Sequence, residues 1–271
     1  MQPEPLVGEP LTVSALHAAF VAAGVQAGMI LLVHSSLRSL GRWVVGGPAA
    51  VVLALEEALG PDGTLVMPTQ TGDLSDPAGW RSPPVAERWW EVIRTQMPAY
   101  TPDLTPTRSM GTIPECFRKQ AGTLRSPHPQ VSFAARGLLA QSIVAAHPLE
   151  NGLGETSPLA RLYDAGAYVL LLGVGHDKNT SLHLAEYRAT WPGKHVKRQG
   201  APVLVDGQRQ WVIFPDLDLD SSDFPVIGAA FETATALARR ATIGAAQVLL
   251  FPQRPLVDFA VHWMETHRQG G

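Results

Sequence analysis

Only one of the 271 residues is a cysteine, Cys116, so no disulfide can form within the chain. That fits a reducing compartment, and a cytoplasmic enzyme is the expectation. Long apolar runs are missing as well. None approaches the roughly 18 residues that a membrane-spanning helix needs. The first ten residues, MQPEPLVGEP, hold no basic stretch followed by an apolar one, so they do not read as a secretory signal. There is no basic excess: 21 Lys and Arg stand against 24 Asp and Glu, a net charge of -3. A general nucleic-acid binder needs a basic face, so that class is excluded. Charged residues are sparse at 17%, while hydrophobic residues reach 45%, the balance of a chain with a sizeable core. The phosphate loops G-x-x-x-x-G-K-S/T and G-x-G-x-x-G are both absent, as are the zinc spacings H-E-x-x-H and paired C-x-x-C.

What is present is an alternation of short apolar runs and helical patterns. Helical spacing marks Leu11–Gly24, Pro48–Leu59, Val85–Gln96, Pro114–Lys119, Leu138–Ala146, Thr180–Thr190, Phe224–Ala238 and Leu256–His267. Apolar runs at Met29–His34, Thr64–Met67, Val131–Ala135 and Tyr168–Val174 read as buried strands. Residues Val203–Phe214 read as a hairpin turning at Asp206-Gly207. The β-α-β order predicts one α/β domain over residues 1–271: a central, mostly parallel sheet flanked by helices in three layers, plus a small antiparallel hairpin. Two polar, proline-bearing stretches, Pro68–Pro83 and Met97–Met110, read as long loops, and such loops are often functional.

Three segments carry candidate chemistry. His34-Ser35-Ser36-Leu37-Arg38-Ser39-Leu40-Gly41 leaves a buried strand and leads to the helix start at Gly46-Gly47-Pro48. Hydroxyls, free backbone N–H groups and a helix N-terminus at a strand's carboxyl end are what a phosphate needs. An ordinary polar turn is the alternative. The second segment, Gly173-Val174-Gly175-His176-Asp177-Lys178-Asn179-Thr180-Ser181-Leu182-His183, also leaves a strand and enters a helix, with Asn179 or Thr180 as its cap. It sets His183 in the first turn, where the helix dipole disfavours the imidazolium and suits a general base. Glu186, one turn on, is placed to orient the ring. A capping histidine, or a metal site and a metal-dependent hydrolase built from His176, Asp177, His183 and Glu186, are the competing readings. The third segment is Asp216-Leu217-Asp218-Leu219-Asp220-Ser221-Ser222-Asp223. In an extended chain its alternating acids share one face and call for a cation, whether calcium, a polyamine-like ligand or solvent counterions. Cys116 lies near a helix start but has no histidine close in sequence, so a buried structural thiol is its expected role.

Together these segments resemble the aminoglycoside 3-N-acetyltransferase family. The likeness runs through LLVHSSLRSLGRWVVGGP, GTLVMPTQTGDLSDPAGW, PPVAERWWEVI, TPTRSMGTIPECFR, RSPHPQVSFAARG, LGETSPLARLYDAGAYVLLLGVGHDKNTSLHLAEYRA and SSDFPVIGAAFE, and GVGHDKNTSLHLAE is its most specific part. The resemblance implies transfer of acetyl from acetyl-CoA to the 3-amino group of an aminoglycoside antibiotic, and hence resistance. It implies His183 as the base, with Asp216 and Asp218 supporting it. It implies coenzyme contacts at Ser35, Ser36, Leu37, Arg38, Ser39, Met110 and Gly111. Asp73, Glu186 and Asp218 are the expected contacts of the polycationic drug. The PTQTGDLSDP loop carries Gln70 where the family more often has histidine. No metal, nucleic acid or membrane partner is expected, and the protein is expected to act as a monomer or homodimer.

Overall fold

A computed structural model of the chain describes residues 8–268. Most of the N-terminal stretch read above, residues 1–7, lies outside the described residues. In chain order the helices are α1 Val13–Ala22, α2 Pro48–Leu59, α3 Trp90–Gln96, α4 Thr112–Phe117, α5 Ala140–Val144, α6 Pro158–Asp164, α7 Ser181–Arg188, α8 Phe224–Thr235 and α9 Gln253–His267. The strands are β1 Ile30–Ser35, β2 Thr64–Pro68, β3 Leu124–Arg125, β4 Phe133–Gly137, β5 Tyr168–Leu172, β6 Val196–Val205, β7 Gln208–Leu217, β8 Arg239–Ile243 and β9 Ala246–Pro252.

Seven strands form one sheet in the order β3-β4-β2-β1-β5-β9-β8. At its centre β1 pairs in parallel with both β2 and β5. These are the most apolar strands, as expected for parallel strands covered on both faces. The outer pairings are antiparallel: β2 with β4, β4 with β3, β5 with β9, and β9 with β8. The sheet is therefore mixed, parallel only at its core.

Alternation along the central strands feeds two cores. Leu31, Val33, Leu170 and Leu172 pack with Phe20, Leu55 and Phe117 against α1, α2 and α4. Leu32, Val169 and Leu171 point the other way, towards Leu184, Phe224, Phe231, Phe251 and Leu256 on α7, α8, β9 and α9. The helices thus form a layer on each face.

The hairpin β6–β7 stands apart as a two-stranded sheet. It turns where expected, since Asp206 and Gly207 both take positive φ, 50° and 76°, the two-residue turn that suits strand twist. It is longer than the sequence pattern suggests, with Val196 still paired to Leu217. Residues 239–252, given no element above, form the β8–β9 hairpin, and α6 is a further helix the pattern did not mark.

Candidate active site

A cavity of about 700 Å³ opens along the carboxyl ends of β2, β1 and β5, where Pro68, His34 and Gly173 form its floor. Two walls rise from opposite faces of the sheet. On the α2/α4 face stand Ser36, Leu37 and Arg38, just past β1, with Met110, Gly111 and Thr112 beside them. On the α7/α8 face stand His183 and Phe224. Gln70, just past β2, closes one end. Two loops from distant parts of the sequence, HSSLR and SMG, thus share a wall.

The first wall is rich in groups for holding phosphates. The Ser35 hydroxyl is buried and finds no hydrogen-bond partner among the described residues. Arg38 is exposed at the rim. Ser39 is not part of the wall. Its hydroxyl donates to Ser36 Oγ at 2.8 Å, so it braces Ser36 from behind.

On the second wall, Asn179 Oδ1 accepts the Ser181 amide at 3.2 Å, just ahead of Thr180, the N-cap residue of α7. That places His183 in the first turn. Its Nδ1 lies 2.6 Å from Glu186 Oε2. A carboxylate offers only lone pairs, so Nδ1 carries the proton of this bond, and in the neutral ring the lone pair is on Nε2. The ring also packs edge-on against Phe224, with centroids 4.8 Å apart. Glu186 is fully buried, and its other oxygen accepts from Arg268 at 2.8 Å and from the Asp220 amide at 2.9 Å. Both of its oxygens serve the protein, so Glu186 holds the His183 ring in place and does not itself line the cavity.

The acids expected near His183 lie elsewhere. Asp216 is buried at the end of β7, where it accepts the Tyr187 hydroxyl and the Leu217 amide; burial pushes its carboxyl up from the ordinary range. Asp218 pairs on the surface with Lys197 at 2.6 Å and His195 at 3.3 Å. Asp73 pairs with Arg108 at 3.3 Å and is exposed. None of the three lines the cavity. The alternation argument fails because the strand ends at Leu217 and Asp220 folds back onto the Ser222 amide.

Two histidines complete the surroundings. His34 is buried on β1, and its Nε2 is 3.4 Å from Thr180 Oγ1. Burial, reinforced by repulsion from His183 and His176, lowers its pKa to about 3, so it stays neutral. The sequence reading did not single it out, although a histidine inside an otherwise apolar strand was the signal. His176 lies under the turn that leads to α7, 3.2 Å from Glu232 and stacked on Phe251. His176 and His183 thus answer to different carboxylates. Among the described residues, no group of three or more His, Cys, Asp or Glu is placed to hold a metal ion. Cys116 is half-buried, and burial pushes its thiol up, against a thiolate role.

A family model described as aminoglycoside 3-N-acetyltransferase matches residues 32–265, which include both walls. The chain belongs to the aminoglycoside 3-N-acetyltransferase family. The SPbeta prophage-derived aminoglycoside N(3')-acetyltransferase-like protein YokD of Bacillus subtilis (strain 168) is 46% identical over 243 residues, covering 89% of this chain and 88% of that protein. The YokD crystal structure superposes with a TM-score of 0.93 at 43% identity, over 97% of this chain and 96% of the other. Aminoglycoside N(3)-acetyltransferase VII of Streptomyces paromomycinus is 38% identical, covering 94% of this chain and 92% of its own. The structure of AAC-IIIb as a binary complex with CoASH matches with a TM-score of 0.84 at 34% identity, over 97% and 98% of the two chains. Among the described residues no helix is long and apolar enough to cross a membrane.

Proposed function

We propose that this chain transfers the acetyl group of acetyl-CoA to the 3-amino group of the 2-deoxystreptamine ring of aminoglycoside antibiotics, with His183 as general base. The observation that carries the reading is the His183–Glu186 pair on a cavity wall. Glu186 fixes the tautomer, and His183 Nε2 meets the acceptor with a lone pair. As the amine attacks the thioester carbonyl, Nε2 takes its proton; the tetrahedral adduct then collapses with cleavage of the C–S bond, and the imidazolium returns the proton to the departing coenzyme A sulfur. No covalent acyl-enzyme is needed. Ser35, Ser36, Leu37, Arg38, Met110 and Gly111, which line the cavity, are the residues assigned to hold the coenzyme; that AAC-IIIb forms a binary complex with CoASH supports the choice of coenzyme. The amides of Ser36, Lys178 and Asn179 already donate within the fold, to Leu172, Gly175 and His176, so they are not the donors for the tetrahedral oxyanion. The cavity-lining Thr180 is the nearer choice.

One observation favours a second reading, a same-family acetyltransferase acting on a different, less cationic amine. The lining residues include a single carboxylate, Asp177, which is paired with Lys178 at 3.0 Å, and Arg38 adds a further cation. A thiol-release assay with acetyl-CoA, run over a panel of aminoglycosides and simpler amines, separates the two. His183→Ala tests the mechanism common to both. Turnover falls roughly 100-fold or more, coenzyme A still binds, and the acid limb of the rate-pH profile disappears. A variant that keeps wild-type turnover and the same profile removes His183 as the base.

A further inference from the structure

Arg268, one residue past α9, is built into the support of the base. Its side chain is only 11% exposed. Nη1 donates to Glu186 Oε1 at 2.8 Å. Nε and Nη2 donate to the two oxygens of Asp223 at 2.8 and 2.7 Å, and Nη2 also donates to the Asp220 carbonyl at 2.8 Å. The guanidinium carbon lies 4.7 Å from the centroid of the Trp191 ring. One side chain therefore joins α9, α7, the loop after β7 and the start of α8. Asp223 precedes the first residue of α8, Phe224, whose ring packs on His183. Arg268 thus reaches the imidazole by two routes, through Glu186 and through Asp223–Phe224.

The first route carries charge. Glu186 has no contact with water, and a carboxylate removed from water needs a cation close by. While His183 is neutral and waiting for a proton, the cation in contact with Glu186 is Arg268, which never gives up its charge. We propose that Arg268 is a positioning residue for acetyl transfer: it keeps Glu186 accepting the His183 Nδ1–H, so that Nε2 keeps its lone pair for the amine. The proposal rests on His183 being the base.

Without the guanidinium, the negative charge of Glu186 falls on His183 alone. The imidazolium becomes its counterion, and the ring gives up its lone pair at a higher pH than in the wild type. The other charged or titratable groups facing the pair are His34 from β1, Tyr187 on α7, Lys194 just beyond it, and Asp220 and Asp223 from the loop after β7. All of them survive the substitution, but Asp223 loses its guanidinium partner as well, so the route through Glu186 is isolated only by pairing the substitution with one at Glu186.

The experiment is a double-mutant cycle of Arg268→Gln and Glu186→Gln, with kcat, both KM values and the rate-pH profile read for each protein. Arg268→Gln is expected to lower kcat roughly tenfold or more, as loss of a base's orienting group does. It leaves the KM for acetyl-CoA near wild type and moves the acid limb to higher pH. Added to Glu186→Gln, it lowers kcat by no more than about twofold, because the two act as one unit. The double variant removes both buried charges together, so it decides the question even where Arg268→Gln alone does not fold. A further tenfold loss in the double variant overturns the proposal, as does an Arg268→Gln enzyme with wild-type kcat and profile. His183→Ala measured alongside keeps the two ideas apart. If it is inactive while Arg268→Gln is normal, only the role of Arg268 falls. If it retains turnover, the base assignment itself falls.

Discussion

Acid should unfold this protein from an unusually high pH, because three histidines are buried neutral. His147 Nε2–H donates to the Gly152 carbonyl at 2.6 Å, and its Nδ1 accepts from the Ser126 hydroxyl at 2.9 Å. His128 Nδ1 accepts the amides of Gln130 and Val131 at 3.0 and 3.1 Å, and its ring lies 4.7 Å from that of His147. Protonating either places a charge out of water beside a second histidine. Burial, first among the causes, lowers His128 to about 4 and His147 and His34 to about 3. In the unfolded chain a histidine takes its proton near pH 6.5. The unfolded state therefore binds more protons between about pH 6.5 and the folded values, and stability falls as pH drops through that window. Between pH 7.5 and 5.5 each such histidine costs about 1.4 kcal/mol, and the three together about 4 kcal/mol. That is a large share of the roughly 5–15 kcal/mol a native protein has. His176, also lowered by burial, acts in the same direction. Carboxylates whose pKa is held down by partners, such as Asp76 and Asp220, lose their contribution only below about pH 5, outside this window. With a urea slope of about 3 kcal/mol per M, the unfolding midpoint should drop by more than about 1 M between the two pH values. NMR of the imidazole protons gives the direct check, with three rings showing no titration above about pH 5. A midpoint that stays put over this interval would refute the argument.

Two more outcomes follow from close contacts and their absence. In Gly228→Ala the new Cβ would sit 2.0 Å from the His176 ring, so the variant should lose roughly 1–3 kcal/mol of stability, read as a lower thermal midpoint; an unchanged midpoint would mean the ring moves freely. Asp218→Asn breaks only exposed pairs with Lys197 and His195, so it should cost under about 1 kcal/mol and leave turnover near wild type; a steep rise in acceptor KM would instead place Asp218 in the acceptor site.

The residues of the site were more legible than their partnerships. His183 could be placed because an apolar strand, a glycine-bearing turn and the Asn179-Thr180 pair fix where α7 begins. The HSSLR loop could be placed because it leaves a strand towards a helix start, whereas the SMG loop was named by the family resemblance; both line the cavity. The carboxylate on His183 was harder. Glu186 follows the helix period and was within reach of the argument. Asp216 and Asp218 were misplaced because their direction depends on where β7 stops, and alternation does not show that. Arg268 had no local signal, since its importance comes from tertiary contacts with three elements. In the fold, β5 and its run YVLLL were plain, but β9 was missed. Its apolar VLLF is followed by Pro252, which is both the last residue of the strand and the N-cap of α9, so strand and helix abut with no loop between them.

The position of β1 also shapes how the chain is made. On one side it pairs with β2, the next strand to be synthesised. On the other it waits for β5, with Ser35 meeting Leu172 only after more than half the chain has followed. Pairing across such a separation is slow to form, since the intervening loop must be closed first. Until then a strand rich in leucine keeps an open edge, the state in which nascent chains associate with one another. The cavity floor consists of those same strand ends. A growing polypeptide therefore has no catalytic pocket until β5 and α7 have left the ribosome, and an enzyme truncated before them would be inert however well its first half folded.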